Sequence, residues 1–226
     1  MSDETLKIDM HVHSSAYSVD SIFRLGDMFK KFKKTKIVPI VCDHNSIQGS
    51  VDFGQMLKQY DPEYPIVYSE EIETVDGEII GMFISEQIKH GLSVEETLDK
   101  IHEQDGIAIV PHPFDNRRST VLKPDVRDKF INSIDFIEGY NSRNIYPDHN
   151  IRAVNYAVDH GKMISCGTDS HTYYEFGKTH VELPWFNDKT EFIKNFTSAQ
   201  IHYYPAHKFV HVISKSLKIC RRLKLM

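Results

Sequence analysis

Cysteine is scarce: the chain has 3 in 226 residues, an odd number that cannot all pair. Cys42 and Cys166 fall in apolar runs that read as core strands. A disulfide framework is therefore excluded as the organising principle, and the usage suits reduced thiols in the cytoplasm. Long apolar runs are also missing, and none approaches the roughly 20 residues that a transmembrane helix needs. The opening Met1-Ser2-Asp3-Glu4 is acidic and lacks the apolar core of a secretory signal. No repeat at solenoid spacing and no low-complexity linker interrupts the chain, so one domain over residues 1–226 is expected. Nor is there an excess of basic charge. Lys+Arg 27 against Asp+Glu 32 leaves −5, which argues against bulk nucleic-acid binding. The exception is the end, where Lys215, Lys218, Arg221, Arg222 and Lys224 occur without an acid. A terminal helix is expected at about 206–223, where cations would favour the helix dipole.

What remains is a soluble composition, 40% hydrophobic and 26% charged, with 13 histidines whose placement carries the information. Strand-like and helix-like segments alternate, which points to an α/β architecture. Apolar spacing predicts helices over 21–34, 46–60, 93–106, 148–160 and 189–196. Strands are predicted at 7–13, 37–42, 65–69, 107–110, 134–138, 163–166 and 200–204. Asp76-Gly77 marks a hairpin between two β-prone runs, and Ser93 with Glu96 forms a capping box.

The stretch Ile8-Asp9-Met10-His11-Val12-His13 organises the rest. Alternate side chains of a strand share a face, roughly 7 Å apart along the chain, so His11 and His13 can point at one object. Four later apolar runs also end in His, Asp or Glu. Cys42 leads to Asp43-His44, Ser69 to Glu70-Glu71, Val110 to Pro111-His112, and Cys166 to Gly167-Thr168-Asp169-Ser170-His171. In a β/α barrel the site lies where the strands end. Imidazoles and carboxylates without thiolates suit zinc, manganese or iron. Taken singly, each residue also has a structural reading: Asp20 as the N-cap of the helix from Ser21, Asp169 as a turn residue, His112 as a bend between prolines. His90, His102, His149, His160, His202, His207 and His211 sit in helical or surface contexts and read as structural. His180 stands between the two classes.

The ordered set H-x-H, D-H, E, H-P and D-x-H over about 7–177 resembles the PHP superfamily, named for polymerase and histidinol phosphatase. The resemblance implies a distorted, seven-stranded TIM-like (β/α)7 barrel with two or three divalent metal ions. By position, His11 and His13 would hold a first ion with Glu71 and Asp169. Glu71 would bridge to a second ion on His112, and Asp20, His44 and His171 would hold a third. Where some relatives place another imidazole, this chain has Asn141, a poorer ligand. Asp43 is expected to orient His44. The implied activity is hydrolysis of a phosphoester by a metal-activated water, with Glu71 and Asp169 at the reacting centre and His180 a candidate acid. Arg117, Arg118 and Arg143 follow strand ends and are candidates to grip phosphate. A small phosphorylated metabolite is the expected substrate. A nucleotide or short nucleic acid, or a non-catalytic metal-binding scaffold, are the alternatives.

Overall fold

The structure, a computed structural model, describes residues 5–207 and 209–222. Along the chain, β1 (Thr5–Val12), α1 (Leu25–Thr35), β2 (Ile37–Val41) and α2 (Gln48–Tyr60) come first. The middle holds β3 (Ser69–Thr74), β4 (Gly77–Met82), α3 (Val94–Glu103), β5 (Ile107–Val110), α4 (Pro124–Lys129) and β6 (Phe136–Asn141). Then follow α5 (Pro147–Asp159), β7 (Met163–Gly167), β8 (His180–Pro184), α6 (Lys189–Phe196), β9 (Gln200–His202) and α7 (Phe209–Arg222). No helix among the described residues is long and apolar enough to cross a membrane.

Several boundaries follow local chemistry. The Ser93 hydroxyl accepts from Glu96 N at 3.2 Å while the Glu96 carboxylate accepts from Ser93 N at 3.0 Å, which starts α3 at Val94. Gly77 at φ 134° closes the hairpin between β3 and β4. Helix α1 starts later than its apolar spacing predicts, because Ser21 and Ile22 are engaged elsewhere. The Ser21 hydroxyl donates to the carbonyl of His13 at 2.8 Å, and Ile22 N donates to that of His171 at 2.9 Å. Asp20 is therefore not the cap of α1, whose N-cap position is Arg24.

The expected closed (β/α)7 barrel is not what forms. The strands make two mixed sheets, β2-β1-β8-β9 and β3-β4-β5-β6-β7. Two features keep them apart. First, β3 begins where β2 has ended: Glu71 bridges to His44, beyond the last residue of β2. The β3–β4 hairpin is thus shifted toward the C-terminal rim and cannot ladder along β2. Second, side chains replace ladder bonds at the seams. Asp9 of β1 accepts from Thr168 N at 2.8 Å and from the Thr168 hydroxyl at 2.5 Å. At the other seam the Ser69 hydroxyl donates to the Val41 carbonyl at 2.8 Å. Among the described residues, the β-bridges between the two sheets are Val12–Ser170 and His44–Glu71.

Both bridges lie at the C-terminal ends of the parallel strands. The opposite end is filled by phenylalanines: Phe192 of α6 meets Phe83, Phe186 and Phe196 with ring centroids 5.1–5.4 Å apart. Burial of these rings anchors α6 across the bottom of the two sheets.

Candidate metal centre

The rim joins the two sheets through a cluster of buried imidazoles and carboxylates. His11 and His13 share one face of β1, as the alternation predicts, and their Nε2 atoms are 2.9 Å apart. Glu71 reaches them from β3: its Oε1 is 3.5 Å from His11 Nε2 and its Oε2 is 3.4 Å from His13 Nε2. The same carboxylate lies 3.2 Å from His112 Nε2 and 2.9 Å from His44 Nδ1. It is therefore the hub. Asp169 closes the other side, with Oδ1 3.4 Å from His13 Nε2, 3.5 Å from His171 Nδ1 and 3.9 Å from His11 Nε2. Asp20 joins His171 Nε2 at 3.2 Å and His44 Nε2 at 3.5 Å. Gly167 permits the approach of β7 to β1, since a Cβ there would stand 2.4 Å from His11 Cβ.

The backbone is held in unusual conformations at two of these positions. His112 has φ 33° and Asp169 has φ 53°, in the left-handed region that non-glycine residues rarely enter. Each is fixed by a strong bond: His112 N donates to Glu138 Oε2 at 2.7 Å, and Asp169 N to the His11 carbonyl at 2.7 Å. Strain of this kind persists where the surroundings over-determine the geometry, and it clusters at working sites.

Electrostatics separate neighbouring imidazoles. Burial pushes the pKa of His11 down, but Glu138, Asp169 and Glu71 outweigh it and hold the pKa well above the ordinary value. Burial, with His171 and His44 adding repulsion, holds His13 well below it. Asp169 is kept well below the usual carboxylate range, because Arg118 and His11 overcome the opposing effect of burial. Opposite shifts on residues two apart arise where charged groups are buried together, in structural ion-pair networks and at functional sites alike.

Donors from several elements approach closely enough to share an ion. One ligand atom from each of His11, His13 and Asp169 lies within 4.8 Å of the others, and the same holds for His13, His44 and His171 and for His44, Glu71 and Glu78. The donor set fits divalent ions on one further observation. Asp169 Oδ1 is buried, faces three imidazoles and has no hydrogen-bond partner, and a cation among them would satisfy it.

The cluster opens into a cavity of about 480 Å³ lined by Asp20, His44, Glu78, His171 and the arginines Arg117, Arg118 and Arg143. Arg118 is tied to Asp169 at 2.5 Å and to Asp115 at 3.0 Å. Arg143 is buried, with Nε 3.1 Å from Glu175 Oε1, Nη1 2.7 Å from His171 Nδ1, and Nη2 donating to Ser214 Oγ at 2.8 Å. Arg117 lies 6.0 Å from the Tyr146 ring centroid.

Two sequence expectations, for His180 and Asp43, are corrected, and the place of Asn141 is defined. His180 is not in this cavity: it lies on β8, stacked on His202 with centroids 4.5 Å apart. Asn141, expected as a weak ligand or a partner of the ligands, is placed as such a partner: its Nδ2 donates to Glu138 at 2.9 Å and Asp169 at 3.1 Å, and its Oδ1 accepts from Arg143 N at 2.8 Å. Asp43 accepts from Ser14 N at 2.6 Å and from the Ser18 hydroxyl at 2.7 Å, so it braces the loop after β1 rather than the His44 ring.

Sequence reasoning missed Glu78, Glu138, Asp115 and His211. Glu78 follows the hairpin glycine and lies 3.7 Å from both His44 Nδ1 and His112 Nε2. Glu138 accepts from or faces His11 Nδ1 at 2.9 Å. The available signal was the position of each acid on a buried strand, Glu78 at 6% exposure and Glu138 at 2%, where an unpaired carboxylate is untenable.

No family model matches the chain. Among solved structures, it resembles a two-domain protein from Bacteroides vulgatus that contains a predicted PHP-like metal-dependent phosphoesterase. That match has a TM-score of 0.67 at 14% identity and covers 88% of this chain. The present chain spans 65% of the length of that protein. A second, from Bifidobacterium adolescentis and named by prediction a metal-dependent phosphoesterase, gives 0.61 at 13% identity over 84% of this chain and 95% of that one. The chain shares its fold with these PHP-like structures. By sequence, the chain belongs to the family of the uncharacterized protein MJ0417 of Methanocaldococcus jannaschii. The two are 33% identical over 185 residues, which is 80% of this chain and 72% of that protein.

Proposed function

We propose that this chain is a metal-dependent hydrolase of phosphate esters. His11, His13, Asp20, His44, Glu71, His112, Asp169 and His171 would hold two or three divalent ions, with zinc, manganese or iron the candidates. Glu78 is added to that set by its place beside His44 and His112. The observation that carries the reading is that Asp20, His44, Glu78 and His171, the outer members of this donor cluster, share the walls of one cavity with Arg117, Arg118 and Arg143. Bound ions would supply Lewis-acid charge and acidify a water toward neutral pH.

The side chains account for the remaining tasks. Arg143 is locked by Glu175 and Ser214, so it offers charge to phosphoryl oxygens without reorganising. Arg118 neutralises Asp169 and Asp115 and stands ready to exchange part of that pairing for phosphate. Glu71 and Asp169, at the floor of the cluster, are the carboxylates placed to orient the attacking water. Glu138 holds His11 by Nδ1, which leaves Nε2 to face the cluster. A single-domain organisation over residues 1–226 accompanies this reading.

The substrate expected first is a small phosphorylated metabolite of the sugar or amino-alcohol kind. One observation favours a nucleotide as a second reading. The arginine-lined cavity shares Arg143, Ile145 and His211 with a neighbouring cavity of about 620 Å³ whose walls include Tyr203, Pro205 and Phe209. A flat apolar group joined to the phosphate suits such walls.

Elemental analysis of the purified protein, followed by a phosphoester panel with the metals found, tests the proposal. The panel should hold sugar and amino-alcohol phosphates, nucleoside monophosphates and a nucleoside bisphosphate. Phosphate release from at least one class, lost on chelation and restored by metal, is expected. Tightly bound metal with no release from any class would overturn catalysis in favour of a metal-binding scaffold.

A further inference from the structure

A second set of donors lies on the β8–β9 edge. His180 and His202 face each other directly across the antiparallel pair. Glu182, two residues beyond His180, shares its face. The two rings stack at 12°, and His202 Nε2 is 3.6 Å from Glu182 Oε2. One ligand atom from each of the three residues lies within 4.8 Å of the other two.

Three details distinguish this cluster from a chance surface pair. His180 Nδ1 lies 2.8 Å from the carbonyl of Lys178, which places the ring proton on Nδ1 and leaves the Nε2 lone pair open. Metal-ligating imidazoles make this same bond through their other nitrogen. His202 Nε2 is screened from solvent and has no hydrogen-bond partner, an unfavourable state for a polar atom unless something else meets it. The Thr5 hydroxyl donates to Glu182 Oε1 at 3.0 Å, which fixes the carboxylate with Oε2 beside His202.

We propose that His180, Glu182 and His202 form a second divalent-metal site, distinct from the central cluster and suited to zinc. Two imidazoles and a carboxylate are a three-ligand set with room for water. Lys7, 3.6 Å from Glu182 Oε2, is the cation that zinc displaces. The bound ion clasps the three-residue edge strand β9 to β8. That strand leads directly into Tyr203 and Pro205, walls of the second cavity. Thr179 already ties the same segment, accepting from Tyr204 N at 2.9 Å and donating to its carbonyl at 3.0 Å. Filling the site therefore stiffens one wall of that cavity, whatever reaction the central cluster performs.

Equilibrium dialysis of metal-free, full-length protein against zinc counts the ions directly. Wild type should hold one more zinc per chain than His180→Gln, Glu182→Gln or His202→Asn. Each variant should match wild type in thermal midpoint in the presence of chelator, because the three side chains are partly exposed. Anomalous diffraction at the zinc edge should show density between β8 and β9 in wild type and none in His202→Asn. Equal zinc counts in wild type and the folded variants, or no density at that place, would overturn the proposal.

Discussion

The two ends of the parallel strands bury their residues for opposite reasons. At the rim, His11, His13, Glu71, His112, Glu138 and Asp169 are each no more than 2% exposed. At the other end, Phe136, Phe186 and Phe192 are no more than 1% exposed. Equal burial has opposite energetic meaning. Taking aromatic rings out of water drives folding. Taking imidazoles and carboxylates out of water opposes it unless each is paired, and the rim adds two residues at positive φ. The aromatic end thus offsets the cost of a preorganised polar end, and the two should respond separately to substitution.

The largest effect expected is on stability, from Phe192→Ala. That ring is fully buried among Phe83, Phe136, Phe186 and Phe196, and loss of such a side chain costs about 3–5 kcal/mol. Urea unfolding should show that loss, while metal bound per folded chain stays at the wild-type value. A parallel fall in metal affinity would break the division between the two ends.

A middle-sized effect is expected at the rim from Glu138→Gln. Glu138 accepts from His112 N at 2.7 Å and from Asn141 Nδ2 at 2.9 Å through one oxygen, and meets His11 Nδ1 through the other. An amide can satisfy the first two only by turning its NH2 group toward His11, which moves the ring proton to Nε2 and removes the lone pair that faces the cluster. Metal affinity or activity should drop 10–100-fold, the range for partners of metal-ligating imidazoles. Stability of the metal-free protein should fall as well, because His11 loses one partner of a buried ion pair. Calorimetric metal titration beside thermal melts separates the two outcomes.

How far the sequence revealed this division follows from the range of each interaction. Periodicity along a strand is local, so the pairing of His11 with His13 and the donors at 112, 169 and 171 were legible. The rim as meeting place was legible too, because apolar runs announce where strands stop. Glu71 was found in the wrong setting: it lies within β3, not past its end, since the hairpin is displaced along the seam. Closure into a barrel was misread for a related reason. The seams depend on Asp9 and Thr168, 159 residues apart, and on Ser69 and Val41, 28 apart, and no local pattern marks a side chain that stands in for a ladder bond. His211 was equally hidden, because a histidine on a terminal helix looks the same whether it faces solvent or a cavity.

His211 gives the smallest effect and the sharpest probe of the boundary between rim and solvent. Burial, then repulsion from Arg143 and Arg118, lowers its pKa from 6.5 to about 4, with Asp169 and Asp115 opposing. The folded-state value lies below the unfolded one, so the unfolded chain binds the proton first. Stability is therefore unaffected above about pH 6.5 and declines as pH falls from 6.5 toward 4, where the folded form begins to take the proton as well. His211→Asn should remove that part of the decline. Measured on metal-free protein, so that ligand imidazoles contribute alike to both, the difference between wild type and variant should be flat at high pH and open only in the acid window. Inorganic phosphate in the cavity should narrow the difference, because an anion beside Arg143 and Arg118 cancels the repulsion that lowers the pKa. A wild-type and variant difference that grows with rising pH instead would mean that His211 is held by the carboxylates, and that the arginines face away from the space in which a phosphate is proposed to bind.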